Sequence, residues 1–261
     1  MKFSLAMPTR NMAAHIGAAV ESALTQTGAD IELLVQDACS TDSTDEVLRA
    51  LDDPRLSVVR EPDEGQADAI NRGLARATGD VLGWLNADDE LEPGALQRVA
   101  TVFEQEPSTL LVYGRGAYID EAGARLRSYD VRPFDPRLLL TRDYILQPAA
   151  FWRRTLWEQV GPLDPALTWG FDWDWFIRAS RVARFRFLDA ELARYRLTGE
   201  NKSLVGGAER QEELARIARR HGGALQPTYL YWRFTLLKRR VPLVSPLEPV
   251  LWRLFPGRIM A

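Results

Sequence analysis

Short apolar runs and longer amphipathic runs take turns along the first part of the chain. Phe3 to Met7, Ile31 to Gln36, Leu56 to Arg60 and Val81 to Leu85 read as buried strands. Between them, about Met12 to Thr25, Thr44 to Leu51 and Gln66 to Ala77 carry the helical period. Ser43 with Glu46 forms a capping box that marks the start of the second helix. A strand that pairs parallel to its neighbour needs a crossover, so this alternation predicts an α/β fold with a mostly parallel sheet covered on both faces. Such sheets bind ligands at the carboxyl ends of their strands. Three loops are thereby nominated, Pro8 to Asn11, Asp37 to Asp42 and Asn86 to Glu90, and they should meet in one crevice.

The third loop concentrates charge. The strand Val81 to Leu85 breaks into Asn86, Ala87, Asp88 and Asp89 before Pro93 opens another helix. Carboxylates crowded at a strand end repel one another, and a hard divalent cation bound through oxygen relieves them; Mg²⁺ or Mn²⁺ characteristically bridges carboxylates to phosphates. Asp88, Asp89 and Glu90 also suit a plain helix cap, and the four residues alone leave the two readings even. The other loops have the same double reading. Pro8, Thr9, Arg10 and Asn11 make a turn with a cap, or Thr9 and Asp37 hold a nucleoside, a carboxylate being a good acceptor for a base N–H or a ribose hydroxyl. No glycine fingerprint of a dinucleotide or P-loop site occurs in these loops. Asp68 and Asn71 share one face of the third helix, a pattern that a solvated face with a salt bridge produces more commonly; because the helix N-terminus lies at the crevice end, Gln66 and Asp68 also have reach toward a nucleotide.

Beyond a helix from Pro93 to Gln105, the alternation fails. A strand Leu110 to Tyr113 and a ribbon pairing Ala117 to Asp120 with Ala124 to Tyr129 predict a mixed second half. Gln147-Pro-Ala-Ala-Phe-Trp-Arg-Arg154 follows, apolar with a basic end, and Thr168 to Arg178 opens a further helix. Trp173, Phe176, Ile177 and Ser180 form a stripe suited to packing on the sheet. Asp172 and Asp174 diverge, so at most one faces a shared pocket. Asp172 stands just past Gly170 at the helix start, where it is an N-terminal cap, a general base kept ionised by the helix dipole, or both.

Taken in order, these segments resemble the family 2 glycosyltransferases. The resemblance runs from about Lys2 to Ser203 and rests on seven parts: Pro8 to Asn11, Asp37 to Asp42, Gly65 to Gly73, Asn86 to Asp89, Gln147 to Arg153, Asp172 to Arg178, and Tyr195 to Ser203. It implies an A-type glycosyltransferase fold, an inverting mechanism and a nucleotide-diphospho sugar donor. Position by position, Thr9 and Asp37 match nucleoside contacts, and Pro8, Asn11, Gln66, Asp68, Asn86, Ala87 and Asp88 fall in the nucleotide-sugar segments. Asp88 matches the principal metal ligand and Asp89 its acidic follower. Asp172 matches the catalytic base, while Gln147, Trp173 and Arg178 match the acceptor side. Two positions depart from the pattern: Asn86 replaces the first aspartate of the family's D-x-D motif, and Thr198 stands where many relatives have a histidine.

Several properties bound the whole. The 261 residues divide by this reading into a catalytic domain over 1–223, with a nucleotide-sugar half (1–115) and an acceptor half (116–223), and a tail over 224–261. A net charge of −3 and the lack of any nucleic-acid motif argue against a nucleic-acid partner. Cys39 is the only cysteine, which excludes internal disulfides and points to a reducing, cytoplasmic setting. The tail mixes basic with aromatic residues; Pro227 to about Val241 and the capping box at Ser245 suggest two helices. It is read equally as a peripheral anchor on the inner membrane face and as a surface packed on its own domain or on a second subunit. The leading expectation is a metal-dependent transferase building a surface polysaccharide or glycolipid on a glycan or lipid-linked hydroxyl. The alternative is a non-catalytic sugar-nucleotide module or partner subunit.

Overall fold

The computed structural model describes residues 1–199 and 201–222; both tail helices expected from the sequence lie outside the described residues. From the N-terminus come β1 (Lys2–Thr9), α1 (Ile16–Leu24), β2 (Asp30–Asp37), α2 (Thr44–Ala50), β3 (Leu56–Arg60), α3 (Gln66–Ala75) and β4 (Val81–Trp84). The alternation is as the sequence predicts, and these four strands are mutually parallel in the order β3-β2-β1-β4. Two boundaries differ from expectation. Asn11 takes a left-handed φ of 56°, which forces a turn over residues 12–15, so α1 starts at Ile16 and not at Met12. Ser43 makes no capping bond with its side chain; Asp42 Oδ1 accepts from the Thr44 amide at 3.0 Å and supplies the cap in its place.

The second half is mixed. It comprises β5 (Glu90–Leu91), α4 (Ala95–Gln105), β6 (Leu111–Ile119), β7 (Arg125–Ser128), α5 (Pro136–Leu139), β8 (Ala150–Arg153) and α6 (Arg154–Val160). After these come α7 (Phe171–Ser180), β9 (Arg186–Arg196), α8 (Lys202–Val205) and α9 (Gly207–Gly222). β8 joins the halves, antiparallel to β4 on one side and to β6 on the other. β9 runs parallel to β6, and the short β5, not anticipated from sequence, pairs antiparallel with β9. The segments Leu110 to Tyr113 and Ala117 to Asp120 belong to one strand, β6, and the expected ribbon with β7 is present. Continuity of β6 depends on glycine: a Cβ at Gly116 would sit 2.4 Å from the Ala193 carbonyl oxygen of β9.

α7 is more deeply buried than a single apolar stripe implies. Phe171, Trp173, Trp175, Phe176, Ile177 and Ala179 are all in the core. Trp175 lies 4.6 Å, centroid to centroid, from Trp152 of β8, and Trp152 lies 5.4 Å from Trp84 of β4. On its other side α9 covers the helix, through Asp174, which accepts from His221 at 2.7 Å and from Arg178 at 2.9 Å. A helix held between a sheet and a second helix needs apolar residues on both faces, and its sequence shows them.

Candidate active site

The carboxyl ends of β1, β2 and β4 converge as the topology requires. The loops after β1 and β2 are stitched by side chains: Asn11 Oδ1 accepts from the Thr41 amide at 2.8 Å, and Ser40 Oγ accepts from the Asn11 amide at 2.8 Å. Thr44 Oγ1 accepts from the Met12 amide at 2.9 Å. At the floor lies Asp37, 1% exposed, opposite Thr9 in the β1/β2 register. Asp37 Oδ1 accepts from the Ser40 amide at 3.0 Å and from its hydroxyl, while Arg60 Nε stands 3.5 Å from Oδ2. Thr9 Oγ1 is buried without a hydrogen-bond partner. A buried hydroxyl left unpaired costs about 1–3 kcal/mol, a cost that a polar ligand at this end of β1 removes. Pro8 and Ala87 are buried in the strand ends that frame this space.

A row of amides lies beside it. Lys202 Nζ donates to Gln66 Oε1 at 3.2 Å, Gln66 Nε2 donates to Asn86 Oδ1 at 2.8 Å, and Asn86 Nδ2 donates to Asp89 Oδ2 at 2.9 Å. Gln147 closes the row, with Oε1 3.5 Å from Asn86 Nδ2 and Nε2 donating to the Trp84 carbonyl at 2.8 Å. Asn86 therefore turns its oxygen to Gln66. Asp89 is fully buried, its second oxygen accepting from the Arg196 amide at 3.0 Å; burial, then the charge of Asp88, pushes its carboxyl well above the ordinary aspartate range. Asp88 is half-buried beside this row; burial raises its carboxyl, countered in part by His15 and Arg196. Arg196 braces the loop, its Nε donating to the Asp88 carbonyl at 2.9 Å and its Nη1 to the carbonyls of Asp120 and Glu121, both at 2.9 Å.

The second constellation surrounds Asp172. Phe171 packs on Trp84, ring centroids 6.3 Å apart, which seats the start of α7 at the end of β4, two residues before Asn86. Asp172 Oδ1 accepts from the Trp173 amide at 2.7 Å. Burial pushes its carboxyl up to about 6, against the pull of that amide and of Arg210. Asp143, in the loop after α5, is pushed well above the ordinary range by burial and by the charge of Asp172. Burial, with Asp143 and Asp172 as neighbours, likewise raises the Tyr129 phenol. A carboxyl poised near neutrality suits a general base.

Not every expected residue comes to these clusters. Trp173 is 1% exposed and spends its indole N–H on the Leu139 carbonyl at 2.8 Å, so only its backbone serves Asp172. Arg178 points away, to Asp174 and the carbonyls of Val160 and Pro162. Asp68 accepts from the Glu64 amide at 3.0 Å and pairs with Arg72 at 2.8 Å. Asn71 brackets Leu163, donating to its carbonyl and accepting from its amide. Arg196 and Lys202 come from the Tyr195 to Ser203 segment, which the sequence marked without assigning them a role; Asp143, Tyr129 and Arg210 join the clusters without a sequence signal of their own, each being a charge or ring in an ordinary polar stretch.

A crevice at the carboxyl ends of a parallel half-sheet, continued by a mixed half carrying a helix-borne carboxylate, is the A-type glycosyltransferase fold. The chain belongs to glycosyl transferase family 2, whose model matches residues 4–157. It is 39% identical over 184 residues to the PGL/p-HBAD biosynthesis glycosyltransferase of Mycobacterium bovis, covering 67% of this chain and 68% of that one. Its fold is similar to S. aureus TarS in complex with UDP-GlcNAc, at a TM-score of 0.71 and 19% identity over 97% of this chain and 79% of that one. It is also similar to the mannosyltransferase PcManGT of Pyrobaculum calidifontis in complex with GDP-Man and Mn²⁺, at a TM-score of 0.64 and 17% identity over 98% and 81%. The protein is a glycosyltransferase. No helix among its described residues is long and apolar enough to cross a membrane.

Proposed function

We propose that the protein transfers a sugar from a nucleotide-diphospho donor to a hydroxyl of a glycan or lipid-linked acceptor, with a divalent metal and inversion at the anomeric carbon. The observation that carries this reading is Asp172, poised near neutrality at the start of a buried helix whose first residue packs on the strand leading to Asp88. Among the described residues, no three or more His, Cys, Asp or Glu side chains form a group able to hold a metal. Asp88, beside the buried Asp89 in the loop after β4, would hold a cation together with the donor's phosphates, as Mg²⁺ and Mn²⁺ prefer. Such an ion supplies charge neutralisation on the leaving diphosphate. Asp89, both oxygens spent on protein donors, fits the orientation of Asn86 better than coordination.

Asp37 and Thr9 hold the nucleoside, and Arg60 restrains Asp37. Asp172 takes the proton of the acceptor hydroxyl while that hydroxyl's oxygen bonds to the anomeric carbon and the bond from the anomeric carbon to the diphosphate oxygen breaks. One displacement leaves the nucleotide diphosphate and an inverted linkage. Because the mycobacterial relative serves PGL/p-HBAD biosynthesis, a lipid-linked hydroxyl is the first acceptor to try. The alternative, a non-catalytic module, draws on Asn86, an amide where the family motif has its first aspartate. Calorimetric titration of UDP, GDP and dTDP with and without Mn²⁺ tests the donor side. One diphosphate should bind only with metal, and Asp88→Ala should remove that dependence. Metal-independent binding, with Asp172→Asn indistinguishable from wild type in turnover, would favour the module.

A further inference from the structure

The last described helix, α9, lies outside the segment matched by the family model, and its side chains reach the base. Glu213 is 1% exposed. Its carboxylate accepts from three consecutive amides, Thr168 at 2.9 Å, Trp169 at 2.7 Å and Gly170 at 2.8 Å, the three residues that lead into α7. These are donors a helix start leaves without partners, and the carboxylate sits at the positive end of the α7 dipole. The approach is close: a Cβ on Gly170 would fall 2.6 Å from Ile217 Cδ1 and 2.9 Å from Leu214 Cδ2, both on α9. Two residues after Gly170 comes Asp172.

We propose that Glu213 is a positioning residue for the transfer reaction, its buried carboxylate fixing the Thr168 to Gly170 segment so that Asp172 is presented to the acceptor hydroxyl. This rests on the proposed role of Asp172. A neutral cap, such as the serine or asparagine common at helix starts, satisfies these amides without a buried charge. A carboxylate adds a field. The charges acting on the base are Arg210 and Glu213 from α9, Asp143 from the loop after α5, and the nearby Tyr129 phenol after β7, with Arg142 acting on Asp143. Among them Glu213 strengthens the base and Arg210 weakens it. α9 thus fixes the place of Asp172 and adds two opposed charges to a basicity that burial raises first.

The test uses the full chain carrying Glu213→Ala, Glu213→Asp and Glu213→Gln, with Asp172→Asn as reference. Release of UDP from UDP-GlcNAc and of GDP from GDP-mannose is followed against pH. In parallel, the ¹³C resonance of the Asp172 carboxyl, assigned by its loss in Asp172→Asn, is titrated. Glu213→Gln keeps the shape and removes the charge; it should lower the Asp172 midpoint by about half a pH unit or more. Glu213→Ala should lower kcat roughly 10- to 100-fold while KM for the sugar nucleotide changes less than about twofold, because only the base is displaced. Glu213→Asp should recover part of that loss. Wild-type kcat and an unmoved midpoint in Glu213→Gln, with only the melting temperature lowered, would make Glu213 a structural cap and overturn the proposal even if the alanine variant fails to fold. A wild-type enzyme that turns over neither donor, like Asp172→Asn, would sink the transfer reading itself and this proposal with it.

Discussion

As the proposed base, Asp172 gains its reactivity at the expense of fold stability. Its carboxyl titrates near 6 in the folded protein, above the ordinary aspartate value of 3.8. Between those values the folded chain keeps a proton that the unfolded chain has released, so this group's contribution to stability is present at low pH and is lost as pH rises through the window. Asp172→Asn should therefore abolish transfer yet raise stability at pH 7 by on the order of 1–3 kcal/mol in urea denaturation. Turnover should climb as pH rises through about 6, where the base becomes ionised. A pH-independent rate from 5 to 8, with Asp172→Asn no more stable than wild type, would remove Asp172 from the role of base.

Among elements, β6 and α7 carry the arrangement and show where sequence was informative. The parallel strands were legible because each is a short apolar run bounded by turn residues, and the acidic loop because its carboxylates follow such a run directly. Asp172 was legible only through its motif, since a carboxylate at a helix start is the same in sequence whether it caps or reacts. Glu213 was hidden: it lies in a helix dense with arginine and glutamate, Gly207 to Gly222, whose pattern reads as a solvated face until packing buries one carboxylate. Trp173 and Arg178 misled in the opposite direction, because a motif's neighbours in sequence alternate around a helix and only one side faces the crevice. Element packing also makes a quantitative expectation. Gly116→Ala pushes a methyl group into the Ala193 backbone, which cannot swing aside, and should cost about 2 kcal/mol or more in chemical denaturation. A loss below about 0.5 kcal/mol would mean that β6 and β9 separate more readily than their register implies.

For the molecule as a whole, four carboxyls with raised affinity for protons, Asp88, Asp89, Asp143 and Asp172, lie in the two clusters. Ligands that offset this charge should stabilise the entire cooperative unit. At a hundredfold excess over Kd, Mn²⁺ with the preferred nucleotide diphosphate should add about 2.7 kcal/mol, read as a rise in Tm. The same ligands at the same concentrations should give a much smaller rise in Asp88→Ala; an equal rise would place the cation elsewhere.

Among the described residues, the strand ladders of the two arms join where β4 pairs with β8, through Val81 opposite Arg153 and Leu82 opposite Trp152. One arm ends in the loops that frame the proposed donor pocket; the other carries the ribbon, the loop after α5 and α7. Change in one arm therefore reaches the other through few links, among them the β4/β8 pair and the bond from the Arg196 amide of β9 to Asp89. In the history of such a chain, the molecule glycosylated can be exchanged while the activated sugar is kept, so two enzymes of this build that spend the same donor need not share a product.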